Sequence, residues 1–243
     1  MGLIVAAPTA GSAGVLPGML FALQDCYNIS DERLIDALFN AGAIGYLAMR
    51  NATVAGAVGG CQAEVGIASA MAASAAVELM GGKPEQCLDA ASTVLMNMLG
   101  LVCDPVGGLV EYPCQNRNAA GVANALVAAE LSLAGIHQFI PFDEMLDTMY
   151  AVGRRIPIEL RETALGGCAA TPSACANADC ALKSDHIDTL FRRTFPPLGN
   201  VLSLFAYRIS SYHESRTAQI EISLPIINRE GFLYHLIITD TPH

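Results

Sequence analysis

Apolar residues recur at helical spacing through most of the first two thirds of the chain. A Gly-rich turn in "SAGVLPGMLFALQD" runs into a short apolar helix. "SDERLIDALFNAGAIGYLAMRN" opens with Ser30 as an N-cap. Asp31 and Glu32 follow in the first turn, where carboxylates meet the positive end of the helix dipole. Leu34, Ile35, Leu38 and Phe39 then keep the helical period. "CQAEVGIASAMAASAAVELMGG" breaks the amphipathic pattern, being small and apolar on every side. That predicts a buried helix approached closely by its neighbours' backbones, with a stop at Gly81-Gly82. "KPEQCLDAASTVLMNMLG" restarts with Pro84 in a first-turn position. "NAAGVANALVAAELSLAG" and "PFDEMLDTMYAVGRR" supply two more helices. Strand-like runs are nearly absent up to about residue 160. The prediction is an all-α domain packed around the Ala/Gly-rich helix.

The pattern changes near residue 185. "AQIEISLPIINREGFLYHLIITD" alternates as the strands of a β hairpin do, around Asn228–Gly231. Alanine nearly disappears, and seven of the fifteen Phe and Tyr residues fall in 186–243. Two regions are therefore expected: an all-α domain over residues 1–180, and an atypical tail over 181–243. The tail reads as a small β-hairpin module or a poorly ordered segment.

Composition narrows the class. Hydrophobic residues make up 53% and charged residues 15% of 243, enough to bury a sizeable core and unlike a disordered chain. A formal net charge of −10 offers no basic patch, which argues against nucleic acid or an anionic membrane as partner. The most apolar helical stretch, between Glu64 and Glu78, has thirteen uncharged residues, too short to cross a bilayer. The first residues lack a basic leader region, and Ala6 stands where a myristoylation signal carries Ser or Thr. A cytoplasmic location is expected. There the eight cysteines are core fillers, metal ligands or nucleophiles rather than disulfides.

Cys26 and Cys87 fall on apolar helix faces and read as core fillers. Cys61 follows three glycines and opens the Ala-rich helix, where the dipole favours a thiolate. Cys103 and Cys114 bracket "CDPVGGLVEYPC", a loop stiffened by two prolines. Without a C-x-x-C pair a zinc ribbon is disfavoured, and spacing alone leaves a metal site and a structural role equally open. Cys168, Cys175 and Cys180 in "GGCAATPSACANADC" are open in the same way. Thr9, Gly11, Ser12 and Gly14 in "PTAGSAG" form either an anion nest or a plain turn with Ser12 as cap. Arg117 and Asn118 open a helix just after Cys114. Arginine is a natural carboxylate clamp there, though arginine at a helix start is also ordinary. Glu64, one turn beyond Cys61, suits either capping or general-base work. His137 begins a polar, solvated turn.

Four motifs in order carry a resemblance: "APTAGSAGVLPG", "GCQAEVGIASAMAAS", "CDPVGGLVEYPCQNRNAAGVANA" and "LRETALGGCAATP". Residues 2 to about 175 resemble the α chain, or catalytic α domain, of the iron–sulfur L-serine dehydratases. The resemblance implies a lyase of amino-acid catabolism and gluconeogenesis. Such enzymes remove water from L-serine to leave pyruvate and ammonia, without pyridoxal phosphate. It implies that Cys61, Cys103 and Cys114 hold a [4Fe–4S] cluster whose fourth iron, free of protein thiolate, acts as a Lewis acid. It makes Thr9, Gly11, Ser12 and Gly14 substrate-binding candidates, and Ser12, Arg117, Asn118 and Glu64 catalytic ones. It implies a β chain, or a homo-oligomer, as partner, and a histidine base from the β part. In some members a C-terminal cysteine caps the open iron, a role not assignable here among Cys168, Cys175 and Cys180. Against the family pattern the chain begins almost at the first motif. Val58 stands where Glu is common, Ala10 where single-chain members often carry Asn, and Cys168 at a Leu position. A catalytic domain truncated at its N-terminus is therefore expected. Two alternatives accompany it: an inactive cluster-binding fragment, and a related lyase for L-threonine or L-cysteine.

Overall fold

The computed structural model describes residues 5–181 and two strands, Ile222–Ile227 and Leu233–Ile238. Eight helices run through the first part: α1 (Val15–Tyr27), α2 (Asp31–Asn51), α3 (Gly56–Gly59), α4 (Cys61–Leu79), α5 (Pro84–Asn97), α6 (Cys114–Leu133), α7 (Phe142–Gly153) and α8 (Pro172–Ala181). The expected all-α architecture is the observed one. The two strands, β1 and β2, pair antiparallel with Ile222 opposite Ile238 and Ile227 opposite Leu233. That matches the alternation in sequence; the expected turn at Asn228–Gly231 lies outside the described residues.

Helix α4 is the hub. Every residue from Cys61 to Leu79 except Glu78 is buried, and α1, α2, α5, α6 and α7 all pack on it. Its Ile67, Met71, Val65 and Val77 are almost fully enclosed, each worth roughly 1.5–3 kcal/mol of burial. Small residues set the spacing. A Cβ at Gly121 of α6 would lie 2.5 Å from Ser69 Oγ and 3.0 Å from Val65 Cγ1, so α6 approaches α4 at backbone distance. The helix ends as its sequence predicts, with Gly81 at φ +81° and Pro84 opening α5.

Two local expectations change. Ser30 stands at the N-cap of α2, but its hydroxyl makes no capping hydrogen bond. Cys26 is exposed rather than a core filler, because the end of α1, residues 25–27, runs past the edge of the core. Cys87 is buried as expected, and its sulfur accepts from Asn40 Nδ2 at 3.5 Å.

Candidate metal centre

Two helix starts and one loop converge. Gly60 precedes Cys61 with φ +75°, and a Cβ there would meet Leu101 O at 2.8 Å; only glycine turns the chain into α4 this tightly. Gln62, next in line, is buried and fully engaged. Its backbone N–H donates to Leu101 O at 3.0 Å, its Oε1 accepts from the Gly100 N–H at 2.8 Å, and its Nε2 donates to Met149 O at 2.7 Å. The segment leading to Cys103 is thereby stitched to the start of α4. Cys103 is held in a short parallel bridge: its N–H donates to Leu160 O at 2.8 Å, and its O accepts from the Glu162 N–H at 2.7 Å. Cys114 opens α6 after Pro113. All three thiols are free and buried.

Cys61 Sγ, Cys103 Sγ and a carboxylate oxygen of Glu64 lie within 4.8 Å of one another. The Cys103 thiol donates to Glu64 Oε2 at 3.6 Å, and Arg117 Nη1 reaches Cys61 Sγ at 3.9 Å. A Cβ on Gly56 would fall 2.6 Å from Glu64 Oε2 and 3.0 Å from Cys103 Sγ, so α3 meets the centre at Gly56 with no room there for a side chain. Cys114 lies outside this tightest group, yet its thiol feels both Cys61 and Glu64.

The electrostatics follow from burial and pairing. The Cys103 thiol hydrogen-bonds to Cys61 and favours the Cys61 thiolate, with help from the Arg117 guanidinium; the Cys61 pKa falls against the opposing pull of burial. Cys103, as the donor and itself buried, is pushed upward. Burial, then the charges of Cys61 and Glu64, raise Cys114 to about 12. Burial, reinforced by Glu162, raises Glu64 to about 7, against hydrogen bonds from Thr9 and Cys103. A cluster of soft sulfur donors with one carboxylate is chemistry that suits iron or zinc.

The remaining expected residues sit close by. Gly11 lies on Glu64, since a Cβ there would be 3.7 Å from each of its carboxylate oxygens. Ser12 is buried, its Oγ 3.1 Å from Thr9 Oγ1 and 3.4 Å from the carbonyls of Ala7 and Thr9. Three N–H groups of the expected nest already have acceptors. Ser12 donates to Thr9 O, Ala13 to Ala10 O, and Gly14 to Asn118 Oδ1. Asn118 is equally occupied, with Nδ2 donating to the carbonyls of Gly11 and Cys114 at 2.7 Å each. Arg117 Nη1 forms a 2.6 Å ion pair with Asp104 and donates to Val102 O at 2.9 Å. Asp104 is the residue that motif reading passes over. The available signal was an acid placed directly after Cys103 in an otherwise uncharged stretch. Cys168 reaches this region through its backbone N–H, which donates to Asp104 Oδ2 at 2.6 Å. Cys175 is exposed, its thiol donating to Ala169 O at 3.7 Å, and the Cys180 side chain lies outside the described residues. His137 is exposed and paired with Asp89 at 2.9 Å.

Comparison with known proteins adds an independent line. Over 173 residues the chain is 58% identical to the "Probable L-serine dehydratase, alpha chain" of Bacillus subtilis (strain 168), covering 71% of this chain and 58% of that one. Over 169 residues it is 53% identical to the "L-serine dehydratase, alpha chain" of Peptoniphilus asaccharolyticus, covering 70% and 58%. The "L-serine dehydratase" of Helicobacter pylori (strain ATCC 700392 / 26695) is 42% identical over 173 residues, covering 70% of this chain and 38% of that protein. The chain thus spans 58% of the length of each of the first two relatives. The family model described as "Serine dehydratase alpha chain" matches residues 1–169, and the chain belongs to that family.

Proposed function

We propose that this chain forms the cluster-holding part of an enzyme that dehydrates L-serine to pyruvate and ammonia. Cys61, Cys103 and Cys114 would hold a [4Fe–4S] cluster. The observation that carries the reading is the convergence of two buried thiols and Glu64 from α4 and the Cys103 loop, with the third thiol at the start of α6. The donor set fits the group: thiolates are the usual ligands of iron–sulfur clusters, and Arg117 offsets part of their charge. When bound, the cluster supplies a Lewis acid toward the hydroxyl that serine loses.

The chain's own groups set up the rest. Glu64, with a pKa raised to about 7, can hold or release a proton at Oε2, beside Cys103, at neutral pH. Thr9 hydrogen-bonds to Glu64, and Ser12 fixes Thr9 in turn, so the turn carrying Thr9, Gly11, Ser12 and Gly14 forms the substrate side of the centre. Asn118 locks that turn to the start of α6. Arg117 is already committed to Asp104 and Val102 O, and serves the thiols rather than a substrate carboxylate. In this reading residues 1–180 form the catalytic unit. The names "alpha chain" among the relatives favour a β chain as partner.

Anaerobic reconstitution with iron and sulfide tests the reading. Wild type should gain the broad absorption at roughly 400 nm of a thiolate-bound cluster. Cys103→Ala should lose it, and Cys87→Ala should keep it. No absorption in wild type, or equal absorption in both variants, overturns the ligand set. Pyruvate from L-serine with a supplied β chain establishes turnover; a cluster without turnover leaves a binding fragment.

A further inference from the structure

The geometry points to Asp104 as a positioning residue that holds Arg117 against Cys61 and so fixes the three thiols relative to one another. This inference rests on the proposed role of Cys61, Cys103 and Cys114 as cluster ligands.

Asp104 is 2% exposed and follows Cys103 directly. Its carboxylate is divided between two partners. Oδ1 takes the Arg117 Nη1 ion pair at 2.6 Å, and Oδ2 accepts the Cys168 N–H at 2.6 Å. The second contact is built in. Gly167 has φ +61°, and a Cβ there would run into Asp104, so glycine brings the Cys168 N–H onto the carboxylate.

Arg117 translates this anchoring to the centre. The same Nη1 that meets Asp104 also donates to Val102 O and reaches Cys61 Sγ. Val102 and Asp104 flank Cys103, Cys61 opens α4, and Arg117 itself lies one turn beyond Cys114 on α6. One guanidinium therefore links the carriers of all three thiols. Asp104 is the group that keeps it in that place, because a flexible arginine is held best by a charge-assisted bond to a buried carboxylate. Removing Arg117 leaves Asp104 as a buried charge without its ion-pair partner, and removing the Asp104 charge frees the partly buried guanidinium from its anchor. Partners one step removed from a metal's ligands commonly change affinity by 10- to 100-fold.

The test follows cluster release. Reconstituted wild type, Asp104→Asn, Arg117→Gln and the double variant are mixed anaerobically with an iron chelator, and the visible absorption is followed in time. Asp104→Asn keeps the side-chain shape and removes the charge. It should lose the cluster about 10- to 100-fold faster than wild type. Arg117→Gln should behave alike, and the double variant should be no faster than either single one, because both act through one bridge. Such non-additivity is not produced by a general weakening of the fold. Release from Asp104→Asn at the wild-type rate, or a double variant whose acceleration is the product of the single ones, overturns the inference. If Asp104→Asn does not fold, Arg117→Gln decides alone, and release at the wild-type rate overturns the inference. A wild type that takes up no cluster sinks the ligand assignment and this coupling together, whereas normal uptake with unchanged release sinks the coupling alone.

Discussion

Asn118 Oδ1 accepts the backbone N–H of Gly14 at 3.1 Å, across 104 residues of chain. With the two carbonyls taken by Nδ2, one amide side chain satisfies three backbone groups and joins the N-terminal turn to the helix that starts at Cys114. Asn118→Ala strands the Gly14 N–H and the Gly11 carbonyl and removes a second bond to the Cys114 carbonyl, which keeps its helical partner. A destabilisation of about 2–4 kcal/mol is expected, from roughly 1 kcal/mol or more for each hydrogen bond lost in a largely buried place. Urea unfolding of the apo-protein measures it, and a loss below about 0.5 kcal/mol would show that the turn does not depend on this side chain.

The two glycines Gly56 and Gly42 should answer substitution in opposite ways. A Cβ on Gly56 would occupy the space of Glu64 Oε2 and Cys103 Sγ. Gly56→Ala should therefore displace the thiol and abolish cluster uptake. Gly42 lies within α2 with nothing inside 4 Å of the position its Cβ would take. Gly42→Ala should stabilise by about 0.5–1 kcal/mol, because alanine suits a helix interior better. Uptake by absorption and stability by thermal unfolding separate the two, and normal uptake by Gly56→Ala would refute the close approach.

The buried helix α4 gives a packing test. Ala70 has no exposed surface, whereas Ala123 on α6 is exposed. Ala70→Leu adds three carbons where neighbours already touch. It should cost about 1–3 kcal/mol or more, while Ala123→Leu should stay within about 0.5 kcal/mol. Equal effects in chemical denaturation would mean that α4 is not the enclosed centre of the bundle.

The same contrast explains what was legible in sequence. Helix α4 announced itself because its Ala, Gly and Ser residues leave no polar face, and its stop and the restart at Pro84 are local signals. Cys26 was misplaced because helical period cannot say where a helix outruns the core. Asp104 went unnoticed because its partners, Arg117 and Cys168, are 13 and 64 residues away. Asn118 and Arg117 read in sequence only as candidates at the start of a helix, because their partners are remote in the chain. Their side chains are engaged by Gly11, Gly14, Cys114, Val102 and Asp104, contacts that exist only once the turn, the loop and α6 have met.

Glu64 carries a pH signature. Its pKa in the folded chain is raised to about 7, chiefly by burial, while the unfolded chain titrates near the ordinary value of about 4.3. Between those limits the folded state holds a proton that the unfolded state has released. Glu64 therefore contributes stability that is fully present below about pH 4.3 and is lost as pH rises through about 7. Glu64→Gln lacks this titration. The stability of wild type relative to the variant should fall between pH 4 and pH 8 by up to about 4 kcal/mol, on the scale of about 1.4 kcal/mol per pH unit. Urea midpoints of the two apo-proteins across that range measure the difference. A flat difference curve, or one that rises with pH, would mean that burial does not outweigh the hydrogen bonds from Thr9 and Cys103 at the Glu64 carboxylate.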